Sequence, residues 1–463
     1  MTEFSHANTL HRLVKEAIDS GAAASVAEAE AMFRGFRLRY SIDRAKADDL
    51  SHQIALLTGV ALARRVFLGG VSVSGPLSAP LKVPFRLGAT LGEAVVNLGG
   101  SIGDGAPKDP AISIGGAPSP RSEGFRVRTA FAGWRGGIVP AHTDLAPVAA
   151  PTMPLAPMLS AALAVNEAFF YTRSGNKVFG CRPVGLSLWR PSQDIDWLNA
   201  AADEPDLRYL PARLWLIGLG HLGQAYLWGL GLLPYPNPTG LALVLQDVDT
   251  ITPSTESTSI LTDSAQVGQK KTRTTAAWAE NRGFTVSIHE RLFTADFRRQ
   301  PDEPSVALCG LDNALGRRAL DQVGFDFVVE AGLGRGYSDF QTIRLHTLPA
   351  SRTGASIWAS ESNNEDVRKR PGYQKLLKDG DLDRCGVTLL AGKGVGAPFV
   401  GAVAASLALS EVLRLLHSGP LYQVIELNLQ GIEHRAAIPH PSDFSLLNPG
   451  YTAVSGQPPC AFT

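Results

Sequence analysis

The chain has 463 residues, 44% of them hydrophobic, which is enough for two or more packed domains at the usual ~100–200 residues each. Its 43 Lys and Arg balance its 43 Asp and Glu, so the formal net charge is zero and there is no global field for nucleic acid or an anionic membrane. The four cysteines, Cys181, Cys309, Cys385 and Cys460, are widely spaced with no C-x-x-C pair, which argues against a zinc site and a disulfide framework and for a reducing cytoplasm.

Met1-Thr-Glu-Phe-Ser-His lacks the basic and apolar regions of a signal peptide. Residues 2–50 read as helical and polar, with Arg34, Arg37, Arg39 and Arg44 around Phe33, Phe36 and Tyr40. An apolar helix is expected over 55–68, and strands over 71–75 and 94–98. Residues 99–124, rich in Gly, Pro, Ser and Asp, read as loop around a short strand at 112–114. A strand is expected over 125–131, irregular chain over 133–152 and an apolar helix over 155–170.

The acidic segment 194–211, with Pro205 and Pro211, marks a boundary. After it, apolar strands at 214–217, 242–246, 285–289, 306–309 and 327–330 alternate with helices. That pattern predicts a mostly parallel sheet covered by helices on both faces. A helix over 263–281 should stop at Gly283. Alternating strands follow at 341–346 and 422–429, and the polar, charged stretch 351–384 reads as a long crossover. The runs 214–233 and 387–410 approach bilayer length. A glycine turn with His221 and Gln224 in the first, and Lys393 and Pro398 in the second, favour buried core over a membrane span.

Residues 156–169 resemble residues 397–413. Both run Ala-Pro, then small residues, then a Glu among apolar neighbours. On that pattern the chain divides into 1–205, a degenerate and inactive copy, and 206–463, an active half with a crossover at about 351–395.

The stretch Leu214-Trp-Leu-Ile-Gly218-Leu-Gly220-His-Leu-Gly223 reads as strand, glycine turn and helix start, which brings backbone N–H groups to a phosphate. The next strand ends in Asp247-Val-Asp249. A basic helix carries Lys270 and Lys271, and a third strand ends at Asp312-Asn313. An acid ending the second strand suits a ribose hydroxyl. A further acid near the phosphates suits Mg²⁺. Attack of a carboxylate on the α-phosphate needs cations and metal around the pyrophosphate leaving group. Asp249 suits a turn cap equally well, one of Arg317 and Arg318 suits a solvated helix face, and His221 reads as incidental.

These blocks resemble the E1/ThiF superfamily of adenylating enzymes. Gly218–Gly223 matches its glycine loop. Asp247-Val-Asp249-Thr-Ile-Thr-Pro-Ser254 resembles D-x-D-x-V-x-x-S, Gly268-Gln-Lys-Lys271 resembles G-x-x-K, and Asp312-Asn-Ala-Leu-Gly-Arg317-Arg318 resembles D-N-x-x-x-R-R. The resemblance implies a Rossmann-like α/β fold that binds ATP and Mg²⁺. It assigns Gly218, Gly220, Gly223, Asp247, Asp249, Lys271, Asp312 and Asn313 to the nucleotide, with Asp312 on the metal.

One block departs. The family follows its serine with N-x-N-R-Q, and Thr258 stands where the arginine belongs. Either another cation substitutes, with Lys270 and Arg273 as candidates, or the site is weakened. Relatives also take an arginine from the N-terminal helix of a paired domain, and Arg37-Leu-Arg39-Tyr40-Ser41 resembles that segment, which makes Arg39 a candidate.

The chain most resembles the E1-like proteins of bacterial ubiquitin-like conjugation operons of the Bil antiphage type. That implies a ubiquitin-like partner with a C-terminal glycine, an E2-like acceptor, a thioester on Cys385, a homodimer and a cytoplasmic role in phage defence. Cys385 follows a charged segment where a thiolate can form and move, although a small buried hydrophobe fits the position too. Three alternatives stand beside this reading. A ThiF-type adenylyltransferase acting on a sulfur carrier or peptide would need no thioester. An NAD(P)-dependent dehydrogenase would leave Lys271 and the Asp312 block unexplained. A non-catalytic scaffold would explain Thr258.

Overall fold

A computed structural model describes residues 6–121, 123–359, 371–378 and 384–454, with the side chains at 6, 372, 376 and 384–386 outside the description. Two sheets carry the chain. The first holds β1 (Arg37–Ile42), β2 (Gly70–Ser74), β3 (Ser101–Ile102), β4 (Ala111–Ile114), β5 (Arg126–Ala132), β6 (Arg135–Pro140) and β7 (Val184–Ser187). Its order is 3-2-1-4-5-6-7, parallel through β5 and antiparallel after it. β8 (Tyr209–Pro211) precedes the second sheet. That sheet holds β9 (Arg213–Ile217), β10 (Ala242–Gln246), β11 (Thr285–His289), β12 (Val306–Cys309), β13 (Phe327–Leu333), β14 (Thr342–Leu348), β15 (Tyr422–Asn428) and β16 (Ala436–Pro439). Its order is 11-10-9-12-13-14-15-16, parallel through β13 and antiparallel after it. β17 (Tyr451–Ala453) returns to pair with β8.

The second sheet thus repeats the order of the first. The helix Leu50–Ala63 follows β1 as His221–Leu232 follows β9, and Leu155–Ser174 separates β6 from β7 as Pro398–Leu416 separates β14 from β15. The faint likeness of 156–169 to 397–413 is therefore structural. The segment 43–49 after β1 contains no glycine.

These four helices are almost wholly buried because each is apolar around its circumference, as helices packed on every side must be. Pro398–Leu416 has the length and composition to cross a bilayer, yet 89% of its apolar window is buried inside the protein. One hydrophobic core runs through both halves. Polar bonds cross the seam as well: Trp228 Nε1 donates to Thr58 Oγ1 at 3.0 Å, and Asn166 Nδ2 donates to the Leu429 carbonyl at 3.1 Å.

Three local expectations are corrected. Residues 37–42 form central strand β1 rather than helix, because Leu38, Tyr40 and Ile42 alternate into the core. Residues 91–97 form a helix rather than a strand, started by the Thr90 hydroxyl accepting the Glu93 N–H at 3.2 Å. The segment after Gly133 is strand β6, fully buried between β5 and β7.

The halves differ on their outer sheet faces. In the second sheet, Trp215, Ile217, Val244, Ala307, Cys309 and Val328 point away from the seam into a separate small core, covered by Phe293, Phe297, Leu320 and Val323. The corresponding face of the first sheet presents Arg39, Ser41, Ser72, Ala111, Ser113, Arg126 and Arg128.

Candidate nucleotide site

β9 and β12 are neighbours whose following connections run to opposite sides, and a crevice at their C-terminal ends is where an open α/β sheet binds ligands. Gly218 leaves β9 at φ +83°, left-handed backbone suited to glycine. The carbonyl oxygen of Gly218 lies so close to Gly223 that a Cβ there would overlap it, so the turn and the helix start pack backbone to backbone.

Asp247 ties this turn to the end of β10. Its carboxylate accepts the Leu219 N–H and the Asp249 N–H, both at 2.7 Å. Lys271 Nζ lies 2.7 Å from Asp249 and 3.9 Å from Asp247, and a Cβ built on Gly220 would stand 3.9 Å from the same ammonium. The two carboxylates are not equivalent. Asp247 is 8% exposed and Asp249 is 63% exposed. Asp247 is thus fixed by the turn it holds, whereas exposed Asp249 meets a largely buried Lys271 from the solvent side.

At the end of β12, Asn313 accepts the Gly316 N–H at 2.7 Å and caps the turn of helix Ala314–Arg318. Asp312 is exposed, and Arg335 donates to its carbonyl at 3.3 Å. Arg317 is no solvated face. It is buried, donates through Nε to the Leu311 carbonyl at 2.8 Å, pairs with Glu330 at 3.2 Å and stacks on Trp358 at 4.3 Å. Glu330 in turn lies 3.1 Å from His346 Nδ1. Arg318 donates to the carbonyls of Trp358 and Ala359.

The sequence reading missed Arg12. Its backbone N–H donates to Ser257 Oγ at 3.1 Å and its Nη2 to Ser254 Oγ at 3.0 Å, which fixes it against the segment carrying Thr258. A Cβ at Gly396 would meet Thr258 Cγ2 at 3.0 Å and Arg12 Cβ at 3.9 Å, so Arg12 lies beside the position where the family arginine is missing. Its Nη1 is buried without a partner. Burial lowers the guanidinium pKa to about 10; Asp312 opposes this shift and Arg335 adds to it. A buried cation with a free N–H beside a carboxylate is set up to receive an anion.

The other candidate cations are committed elsewhere. Lys270 Nζ donates to the Val248 carbonyl at 2.6 Å, and exposed Arg273 pairs with Glu290 at 2.8 Å. Arg39 is not brought to the site: it stands on β1, on the first sheet's outer face, with Nη2 donating to the Pro107 carbonyl at 3.4 Å. From the first half, Arg65 donates instead to the carbonyls of Glu256, Ile260 and Thr262, bracing the Thr258 segment.

Two histidines flank these groups. Burial holds both His11 and His221 down to a pKa of about 4. Of the cysteines, Cys309 is buried at the end of β12 and its thiol is pushed up to about 12, while Cys181 is exposed. Cys385 belongs to the helix Arg384–Ala391, with its side chain outside the described residues, and Cys460 lies outside them entirely.

Among the described residues, no three His, Cys, Asp or Glu side chains converge as a metal cage. The donor set instead suits Mg²⁺ carried by nucleotide phosphates, which needs only one or two protein carboxylates. Exposed Asp312 would be one such carboxylate.

Family models described as the BilD N-terminal domain and the BilD C-terminal domain match residues 37–188 and 210–419. The chain is 44% identical over 423 residues to the bacterial E1-like protein BilD of Collimonas sp. (strain OK412), a match spanning 90% of each chain. Among solved structures it resembles E. coli MccB with MccA-N7isoASN, at 14% identity and a TM-score of 0.33, over 50% of this chain and 65% of that one, just under two thirds. It also resembles E. coli tRNA N6-threonylcarbamoyladenosine dehydratase, TcdA, at 17% identity and a TM-score of 0.30, over 45% of this chain and 86% of that one.

Proposed function

The chain belongs to the BilD family of bacterial E1-like proteins, and on that premise we propose that it uses ATP to adenylate the C-terminal carboxylate of a ubiquitin-like protein. The observation that carries this reading is the convergence of Lys271, the Gly218–Gly223 turn, Asp312 and the half-free guanidinium of Arg12 at one sheet crevice.

In this reading the turn amides and Lys271 hold the phosphates once Asp249 has swung aside. Arg12 Nη1 takes a phosphate oxygen as its missing partner. Asp312 would hold Mg²⁺, whose charge, when bound, would offset that of the departing pyrophosphate. A carboxylate oxygen of the partner's C-terminal glycine attacks the α-phosphorus, and the bond to the pyrophosphate oxygen breaks. The Cys385 thiolate then attacks the acyl carbon, AMP leaves, and the resulting thioester passes to a cysteine of an E2-like protein. We place this sequence in antiphage defence, in the cytoplasm, with the protein working as a homodimer.

An intact-mass assay tests it. The full chain is mixed with ATP, Mg²⁺ and a ubiquitin-like protein ending in glycine, as wild type and as Cys385→Ala. A thiol-labile adduct on the wild type that vanishes in the variant is expected. If neither protein forms an adduct but both exchange pyrophosphate into ATP, the plain adenylyltransferase reading replaces the thioester. Loss of both signals leaves a scaffold.

A further inference from the structure

Along the C-terminal edge of the second sheet the strands stand in the order β10, β9, β12, β13. β10 ends at Asp247 and Asp249 with Lys271 over them, β9 at the glycine turn and β12 at Asp312, and β13 runs on into Arg335. The first three positions suit ribose, phosphates and metal. Arg335 is left over, one strand beyond the metal carboxylate and on the side away from the ribose. Neighbouring strands lie about 4.8 Å apart, so its backbone starts about 10 Å from the glycine turn.

The backbone of Arg335 is held from two sides. The Gly334 N–H donates to the Thr342 carbonyl at 3.0 Å and the Gly336 N–H to the Asp339 carboxylate at 2.6 Å, which closes the turn between β13 and β14 and commits the nearest acid in sequence to it. Opposite, the Val395 N–H donates to the Arg335 carbonyl at 2.8 Å, and a Cβ on Gly394 would stand 3.3 Å from Arg335 Cβ and 3.5 Å from its Nε. The chain returning from the helix that carries Cys385 is thus laid flush along the arginine stem. Arg335 is exposed, and its Nη1 donates to the Asp312 carbonyl at 3.3 Å. No carboxylate stands at ion-pair distance from it among the described residues. After burial, the charges acting on Arg12 are Asp312, which raises its pKa, and Arg335, which lowers it, so the three side chains share one corner of the crevice.

We propose that Arg335 receives the carboxylate of the acyl substrate and aligns it for attack on the α-phosphorus, an assignment that rests on the adenylation reading above. A carboxylate approaching a triphosphate meets like charge, so a cation is needed on its own path. With Lys271 and Arg12 on the phosphates and Asp312 on the metal, Arg335 is the cation of this edge that the nucleotide leaves over. Its planar fork matches a carboxylate with two parallel N–H groups. One carboxylate oxygen stays on the guanidinium while the other bonds to phosphorus, and the bond to the pyrophosphate oxygen breaks. Arg335 keeps its protons throughout. The carboxylate loses its charge on becoming the mixed anhydride, so the hold on it weakens as the acyl carbon becomes electrophilic.

The test uses the full chain and a fluorescein-labelled ubiquitin-like protein ending in glycine, prepared with a free C-terminal carboxylate and as the C-terminal amide. Anisotropy is read with Mg²⁺ and α,β-methylene-ATP in the crevice, an analogue that cannot release pyrophosphate. Wild type is expected to bind the carboxylate form about tenfold more tightly than the amide, and Arg335→Gln to bind both at the amide's affinity. In pyrophosphate exchange, Arg335→Gln should raise the KM for the ubiquitin-like protein about tenfold and leave that for ATP within about twofold, with Arg335→Lys between. An amide that binds wild type as tightly as the carboxylate overturns the proposal with no variant needed. So does a variant that keeps the preference, and in both cases adenylation itself stands. A rise in the KM for ATP or pyrophosphate in place of that for the ubiquitin-like protein gives Arg335 to the nucleotide and overturns the proposal too. Wild type that exchanges no pyrophosphate sinks the adenylation reading, and this assignment with it.

Discussion

Arg12→Ala separates a nucleotide role from a structural one. In the nucleotide-free protein the substitution removes one hydrogen bond from a charged donor, Nη2 to Ser254 Oγ, worth about 1.5–3 kcal/mol net. It also removes a buried N–H without a partner, whose desolvation costs about 1–3 kcal/mol. The two terms oppose, and the backbone bond to Ser257 survives, so unfolding free energy should move by about 2 kcal/mol or less. With ATP bound the sign changes, because Nη1 then meets a charged phosphate oxygen, an interaction worth about 1.5–3 kcal/mol. At about 1.4 kcal/mol per factor of ten, kcat/KM for ATP in pyrophosphate exchange should fall by about 10–150-fold. The melting shift induced by ATP should shrink with it. Arg12→Lys restores the charge without the planar fork and should fall between. Exchange in Arg12→Ala that stays within about twofold of wild type, or a collapse of nucleotide-free stability larger than about 3 kcal/mol, would refute the reasoning.

Two further outcomes follow from the same region. His11 and His221 are buried with pKa values near 4 against 6.5 in an unfolded chain, so unfolding takes up protons between those limits. Their contribution to stability is fully present above pH 6.5 and is lost as pH falls toward about 4, so urea midpoints should drop over that window and drop less in His221→Asn. Gly223→Ala forces a methyl into the Gly218 carbonyl and should lower stability by about 2 kcal/mol or more, read as a fall in melting temperature.

The nucleotide crevice was legible in the sequence wherever its parts are local. A buried strand, a glycine turn and an acid ending the next strand each lie within a few residues, and Lys271 opens the helix that follows. Arg12 was not legible because its partners Ser254 and Ser257 are more than 240 residues away and nothing around His11-Arg12 repeats or caps. Arg39 misled for the converse reason. Its neighbours resemble a motif, but the alternation Arg37-Leu-Arg-Tyr-Ser-Ile42 has the period of a strand, and pairing on both sides places it mid-sheet. The helix Leu91–Asn97 carried a readable signal in Thr90-x-x-Glu93. β6 carried none: Gly136, Gly137 and Pro140 disfavour a strand, and only its two flanking partners make it one.

The route by which Arg12 reaches the crevice has a thermodynamic consequence. The residue precedes the first sheet, yet it serves the second within a single covalent chain. A cation supplied by a separate molecule would leave the crevice on dilution, with an occupancy set by protein concentration. A tethered cation meets its target at an effective concentration fixed by the intervening fold, which dilution does not change. The half without a glycine turn therefore anchors Arg12 against Ser254 and Ser257, and under the proposed function each chain would carry its own complement of cations at any abundance in the cell.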